Sequence, residues 1–342
     1  MRRNSVPEPL PPPFASDTIN LASPRMGAAV IFATDEFFAS KERLIEDTEP
    51  QFIPDKYDSH GKWMDGWESR RRRDGGYDHC IISLKAGGTI EGVDIDTRHF
   101  TGNHPPYASI DGALSKSSPN ENTIWMELVP KTKIKPDAQN FIEVKSSERL
   151  NYLRFNIYPD GGIARLRIYG HPTAAWEQDD PLDVYELSAI TNGGRIVGYN
   201  DAHYGTPWVI LSSGRGVDMG DGWETRRRRE PGNDWIIIAL GARGIVERIE
   251  IDTAHFKGNY PDRCSVEAIT NEDTNESSLL QERVNWLTLM DEQKLSMDRI
   301  HNFESDIINP IGPATYLRLS IYPDGGVSRF RAFGRLASPE TI

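Results

Sequence analysis

The chain carries one long unit twice, and this duplication limits what it can fold into. Three landmarks recur in the same order, at offsets of 156 to 164 residues. Solenoid repeats have periods of about 20 to 50 residues, so a period this long indicates duplication of a whole domain. Each copy is therefore predicted to close its own hydrophobic core. The matched landmarks are DGWESRRRR (Asp65–Arg73) and DGWETRRRR (Asp221–Arg229), IDTRHFTGN (Ile95–Asn103) and IDTAHFKGN (Ile251–Asn259), and YPDGGIARLRIYG (Tyr158–Gly170) and YPDGGVSRFRAFG (Tyr322–Gly334).

The local patterns within each copy are those of β-strands. NYLRFNIY (Asn151–Tyr158) and YLRLSIY (Tyr316–Tyr322) alternate apolar and polar residues. In both copies the turn signal PDGG and a second alternating segment follow, which predicts a closing hairpin. The best helical candidate is Leu279–Gln293. We predict an all-β chain of two tandem jelly-roll β-sandwich domains, and the order of landmarks resembles the galactose-binding-like, or discoidin-like, fold.

The domain boundaries follow from the repeat and from composition. Residues 1–20 are rich in proline and are expected to be disordered. The first repeat is predicted to span residues 21–172 and the second residues 187–342. The acidic, proline-containing stretch at residues 173–186 is interpreted as the linker between them.

Charge and hydropathy exclude several classes of partner. A formal net charge of -12 opposes nucleic-acid binding, which depends on a broad basic surface. No apolar run approaches the roughly 18 residues needed to span a bilayer, and no membrane partner is predicted. Cys80 and Cys264 do not occupy matched positions, so no disulfide framework is predicted. Together with the absence of a signal-like N-terminus, these features favour a cytoplasmic protein.

The four consecutive arginines at Arg70–Arg73 and Arg226–Arg229 are unexpected in an acidic chain. In an extended segment alternate side chains point to opposite sides, so one pair is free to serve a site while the other is solvated. The guanidinium fork binds a carboxylate through two hydrogen bonds, which a lysine cannot do. Structural ion pairs with nearby acids are the alternative. Arginines on the last strand of each copy are expected to be structural: Arg165, Arg167, Arg329 and Arg331.

Matched acids precede the arginine runs in both copies. They are Asp65 and Glu68 in the first repeat, and Asp221 and Glu224 in the second. Neighbouring guanidinium groups are expected to lower the pKa of these carboxyls, which suits a base or an acceptor of ureido N–H groups. For Asp65 the alternative is a tight turn with Gly66.

Two further polar residues recur in the IDT landmark. His99 and His255 are the only histidines at matched positions, and histidine exchanges protons near neutral pH. Asn103 and Asn259 are able either to donate to a substrate carbonyl or to cap a turn. Other polar positions differ between the copies and are where a loss of activity in one copy would show: His60, Trp63 and His104 in the first correspond to Gly216, Met219 and Tyr260 in the second.

Taken together, the three landmarks resemble those of the allantoicase family. The resemblance covers about Leu21 to Arg335. It implies hydrolysis of allantoate to ureidoglycolate and urea in purine degradation, on a tandem jelly-roll scaffold that forms homo-oligomers. The alternatives are a non-catalytic glycan- or ligand-binding module and a different ureide hydrolase.

The resemblance and the residue chemistry lead to specific roles. Arg70, Arg71, Arg226 and Arg227 are predicted to bind the substrate carboxylate, with Asn103 and Asn259 as further substrate-binding residues. Glu68 and Glu224 are predicted to act on a ureido group, and Asp65, His99, Asp221 and His255 in proton transfer. No cofactor is required by the sequence, although the matched acids and histidines are compatible with a divalent metal.

Overall fold

The computed structural model describes residues 11–174, 176, 182–271, 276–281 and 284–337. The chain divides into two compact units between Thr173 and Ala174. Each unit contains an eight-stranded antiparallel sheet system with the same strand order. The predicted all-β class and the tandem jelly-roll architecture are confirmed.

The first unit contains twelve strands, one short α-helix and two 3-10 helices within its described residues. The helices are α1 (Pro13–Asp17) and the 3-10 turns Pro24–Met26 and Lys41–Ile45. The strands are β1 (Ile19–Asn20), β2 (Ala29–Ala33), β3 (Tyr57–Asp58), β4 (Gly61–Lys62), β5 (Trp67–Glu68), β6 (Asp78–Asp96), β7 (Tyr107–Ala113), β8 (Met126–Lys133), β9 (Gln139–Glu143), β10 (Leu150–Tyr158), β11 (Gly162–Ile163) and β12 (Arg165–Pro172).

The second unit repeats this order without counterparts of α1, β3 and β4 among its described residues. Its strands are β13 (Tyr185–Glu186), β14 (Arg195–Tyr199), β15 (Trp223–Glu224), β16 (Asp234–Asp252), β17 (Arg263–Ile269), β18 (Leu287–Lys294), β19 (Ile300–Phe303), β20 (Ala314–Tyr322), β21 (Gly326–Val327) and β22 (Arg329–Leu336). Its 3-10 helices are Ile190–Asn192, Pro207–Leu211 and Glu276–Leu280.

One 19-residue strand in each unit belongs to both layers of the sandwich. The first half of β6 pairs with β2 and β10, and its second half pairs with β9 and β12. The change of partner falls near Gly88, where the register shifts. The strand β16 is shared in the same way between β14 and β20, then β19 and β22.

The core lies between the two layers and is filled by alternate residues of the strands. Leu153, Phe155 and Ile157 on β10 are fully buried, as the alternating pattern predicts. The hairpin predicted after β10 is wrong, because β10 and β12 each pair with β6 and not with each other. The PDGG turn instead carries the chain from one layer to the other, and alternation along the strands is the same in both arrangements.

Two further expectations concern the helical candidate and the N-terminal segment. The predicted helix at Leu279–Gln293 is wrong: the described part is a 3-10 turn ending at Leu280 and the strand β18. Residues 11–20, expected to be disordered, form α1 and β1, because Phe14 packs against Phe141 and Tyr169. Residues 1–10 lie outside the described part.

The predicted linker lies only partly within the described residues. Its last two residues form β13, which pairs with β22.

Candidate functional site

In each repeat, three segments meet at one end of the sandwich. The strand β5 pairs with β11, so that Glu68 lies opposite Gly162. The N–H of Gly162 donates to the carbonyl of Asn103 at 2.8 Å, which brings the end of the IDT landmark to the same place. The second repeat forms the same contacts between β15, β21 and Asn259. The three landmarks of the sequence are therefore parts of one site.

Along the arginine run, side chains that form ion pairs alternate with side chains that have no partner among the described residues. Arg70 forms an ion pair with Asp35 at 2.6 Å, and Arg72 forms one with the buried Asp78 at 2.8 Å. Among the described residues, neither Arg71 nor Arg73 has an ion-pair or hydrogen-bond partner for its side chain, and both are exposed.

The second repeat has the same alternation. Arg226 pairs with Asp201 at 3.0 Å and Arg228 with Asp234 at 2.6 Å. Arg227 has no partner among the residues that the structure describes and borders the cleft beside Glu224. The close copying of the run thus preserves two anchored arginines and leaves alternate guanidinium groups available to a ligand.

Glu68 and Asn103 form the polar centre of the first site. The Nδ2 group of Asn103 donates to Oε1 of Glu68 at 2.7 Å, and Asn259 makes the same contact with Glu224. Burial raises the pKa of Glu68, although the hydrogen bond from Asn103 acts against this. The expected lowering of this pKa by the arginines is wrong, because those nearest in sequence either pair with other acids or point to solvent. A carboxyl with a raised pKa is suited to giving and taking a proton.

The second repeat shows the space around this centre. A cleft of about 540 Å³ is bordered by Glu224, Arg227, Asn259 and Tyr260. This volume accommodates a small organic anion. The cleft joins a half-buried carboxyl, an amide and a free guanidinium within one cavity.

A cavity of about 570 Å³ on the sheet face of the second repeat has a different character. Arg318 is the only basic residue among its described lining residues, and it pairs with Glu267. An anionic ligand would find no free positive charge there. The cleft at the loop end is therefore the better candidate.

Asp65 and Asp221 are bound to buried arginines. The Oδ2 atom of Asp65 accepts a hydrogen bond from Arg165 at 2.9 Å, and the guanidinium of Arg165 is fully buried. Asp221 and Arg329 form the same pair at 2.8 Å. These contacts confirm the structural role expected of the last-strand arginines. A catalytic role for the two aspartates stays a prediction, and the contacts favour a structural one.

His99 and His255 also make matched contacts. Each ring donates from Nε2 to a backbone carbonyl, that of Pro50 at 3.1 Å and that of Gly216 at 2.8 Å. Each backbone has a positive φ, and its N–H donates to an aspartate. Among the contacts of the described residues, none joins His99 to Glu68. The role of His99 and His255 in proton transfer stays a prediction.

The sequence interpretation missed the acids that anchor the arginine run. Asp35 and Asp201 occupy matched positions 166 residues apart, and that repetition is the signal which could have identified them. The PDGG turn also holds the arginine run: Asp160 accepts the backbone N–H of Arg72 at 2.8 Å, and Asp324 does the same for Arg228.

Within the described residues, no group of three or more histidine, cysteine, aspartate or glutamate side chains is arranged to hold a metal ion. No helix within these residues is long and apolar enough to cross a membrane.

The fold and the site define a duplicated jelly-roll protein in which each repeat forms the same glutamate–asparagine contact beside an arginine run. The allantoicase repeat matches residues 19–173 and 185–337. A probable allantoicase of Burkholderia mallei is 51% identical over 330 residues, covering 96% of this chain and 98% of that protein. A probable allantoicase of Rhizobium meliloti is 50% identical over 333 residues, covering 96% and 97%.

A solved structure agrees with these sequence relatives. The crystal structure of allantoicase from Saccharomyces cerevisiae matches with a TM-score of 0.72 and 35% identity, and the match covers 93% of each chain. The chain belongs to the allantoicase family.

Proposed function

We propose that this protein hydrolyses allantoate to ureidoglycolate and urea, as a step in purine degradation. The observation that carries the proposal is the glutamate–asparagine centre that the family landmarks form in each repeat, which in the second repeat shares one cleft with the free Arg227. Allantoate has one carboxylate and two ureido groups on a single carbon. Its recognition requires a cation for the anion and polar acceptors for the ureido N–H groups.

Arg71 and Arg227 are the residues that bind the substrate carboxylate in this proposal. A free guanidinium binds a carboxylate through two parallel hydrogen bonds. Arg70 and Arg226, assigned the same role from the sequence, already pair with Asp35 and Asp201. Their part is to hold the extended segment in place.

Glu68 supplies the proton that the departing urea needs. As the carbon–nitrogen bond breaks, its electron pair passes to the ureido nitrogen, which takes the proton of the Glu68 carboxyl. The remaining ureido nitrogen stabilises the carbon by forming a C=N bond. Burial raises the pKa of Glu68 and so favours the protonated carboxyl that this step requires. Asn103 holds the carboxyl in position.

Addition of water to the C=N carbon completes the reaction and requires a proton acceptor. Asp65 and His99 are the acceptors predicted from the sequence. Asp65 is bound to the buried Arg165, and Nε2 of His99 donates to the carbonyl of Pro50. Because both side chains already make these contacts, a different residue near Glu68 is a better candidate for the proton acceptor.

The arginine assignment is tested by paired variants. R71A/R227A is expected to raise KM for allantoate about 30- to 100-fold, since a charge-assisted hydrogen-bonded pair contributes roughly 2–3 kcal/mol. R73A/R229A removes the same charge from the exposed arginines two positions further along each run and is the matched control, with KM expected within about 2-fold of wild type. Equal effects of the two variants would refute the assignment and indicate general electrostatics.

A homo-oligomer and a cytoplasmic location complete the proposal. The family resemblance implies the oligomer, and the sequence features described above favour the cytoplasmic location. Sedimentation equilibrium of the purified protein and fractionation of the source cells are the respective tests.

A further inference from the structure

The two repeats differ at the residue that follows the asparagine. His104 follows Asn103 in the first repeat, and Tyr260 follows Asn259 in the second. Most other residues around the centre are matched in chemistry: Glu68 and Glu224, Ser69 and Thr225, Arg71 and Arg227, Asn103 and Asn259, and Asp160 and Asp324. A second difference is Asp262, which borders the cleft of the second repeat and corresponds to Pro106 in the first. Asp262 pairs with Lys294 and Arg263. The change from His104 to Tyr260 is therefore the difference that bears on proton transfer.

The backbone holds His104 and Tyr260 in equivalent places. Gly161 has a φ of +136°, and a Cβ there would lie 2.6 Å from the carbonyl oxygen of Asn103 and 3.0 Å from the carbonyl carbon of His104. Gly325 has the same relation to the loop of Tyr260, with a φ of +140°. Each loop therefore packs against the PDGG turn in the same way. Tyr260 and Glu224 border one cleft, and His104 and Glu68 occupy the corresponding positions of the first repeat.

No hydrogen bond joins the ring of His104 to another described residue. Its Nδ1 atom is buried and has no hydrogen-bond partner among the described residues. Buried polar atoms without partners are rare in native proteins and need an explanation. Burial lowers the pKa of His104, which leaves the imidazole neutral at neutral pH and able to accept a proton.

We propose that His104 accepts the proton of the water that adds to the C=N carbon, and that the second repeat binds allantoate without hydrolysing it because Tyr260 takes the histidine's place. This inference rests on the proposed function. In the reaction, the water oxygen forms a bond to carbon and one of its protons passes to His104. The proton lost by Glu68 has gone to urea, and both side chains reset by exchange with solvent. A phenol holds its own proton at neutral pH and is a poor acceptor.

Exchanging the two residues tests the inference. H104Y copies the second cleft into the first and is expected to lower kcat at least 100-fold, with KM changed by less than about 3-fold. Y260H in that background is expected to restore kcat. In the exchanged protein, activity should then depend on Glu224, so that adding E224Q abolishes it.

H104A provides a second test that separates chemistry from packing. The ring is only partly buried, so free imidazole can enter the space it leaves. We expect added imidazole to raise kcat of H104A at least 10-fold and to leave wild type unchanged. Circular dichroism and the unfolding midpoint of each variant establish that it is folded.

The outcomes separate this inference from the proposed function. Wild-type protein that releases no urea would overturn the proposed function itself. Active wild type together with a folded H104Y that keeps more than half of kcat would overturn the role of His104. Failure of Y260H to restore folded H104Y would overturn the claim that Tyr260 silences the second repeat.

Discussion

Replacing Asp65 by asparagine separates a structural from a catalytic role for this residue. The change keeps the side-chain volume and removes the charge that faces Arg165, whose guanidinium is fully buried. Arg165 then keeps hydrogen bonds to the carbonyls of Thr48, Ala164 and residue 65, and a partly exposed Glu46 at 3.6 Å. Breaking a buried ion pair costs about 3–5 kcal/mol, a large fraction of the roughly 5–15 kcal/mol that stabilises a typical domain.

Urea denaturation and steady-state kinetics measure the two roles in D65N. We expect a loss of about 3–5 kcal/mol in the free energy of unfolding, equivalent to a fall of roughly 10 °C in Tm for a domain of this size. The kcat of the folded fraction, measured well below Tm, should fall less than about 5-fold. D221N, which removes the charge facing Arg329, is the matched variant in the second repeat. An unchanged unfolding midpoint with a kcat reduced more than 100-fold would refute the structural role.

Two further predictions concern buried charge and the loop beside the site. Burial, together with the nearby Asp96, raises the pKa of Asp94 to about 6 from its ordinary 3.8, so the stability that this carboxyl contributes is present below about pH 4 and is lost as pH rises through 6. D94N should therefore be more stable than wild type by about 1–3 kcal/mol at pH 7.5, and the two proteins should be nearly equal in stability at pH 4. Urea denaturation that finds the same difference between D94N and wild type at both pH values would contradict this. G161A should lower kcat/KM at least 10-fold, because its Cβ would lie 2.6 Å from the carbonyl oxygen of Asn103. G75A, also at positive φ but with open space around the Cβ, is its control, and equal kinetic losses in the two variants would indicate backbone strain alone.

Much of the fold was predictable because the same pattern of strands and turns occurs twice in the sequence. The alternation in Asn151–Tyr158 identified a strand with one buried face, and the long period identified two domains. The position of that strand was not predictable from local pattern. A hairpin and a crossing between layers have the same alternation, and the choice depends on how β6 bends near Gly88.

The site was predictable in its parts and less so in its connections. Glu68, Asn103 and the arginine run were identified by repetition, and the structure brings them together. Which arginines are free depends on Asp35, which is 35 residues from Arg70 in sequence but bonded to it in the fold. The raised pKa of Glu68 depends on burial in the assembled loop end, which no spacing of residues reveals.

The most direct test of the account is the release of urea from allantoate by the purified full-length protein, with and without added divalent cation and after chelation. The account predicts one urea and one ureidoglycolate per allantoate consumed, with no urea released from ureidoglycolate supplied alone. Failure to release urea from allantoate under all three conditions, or release from ureidoglycolate instead, would contradict it.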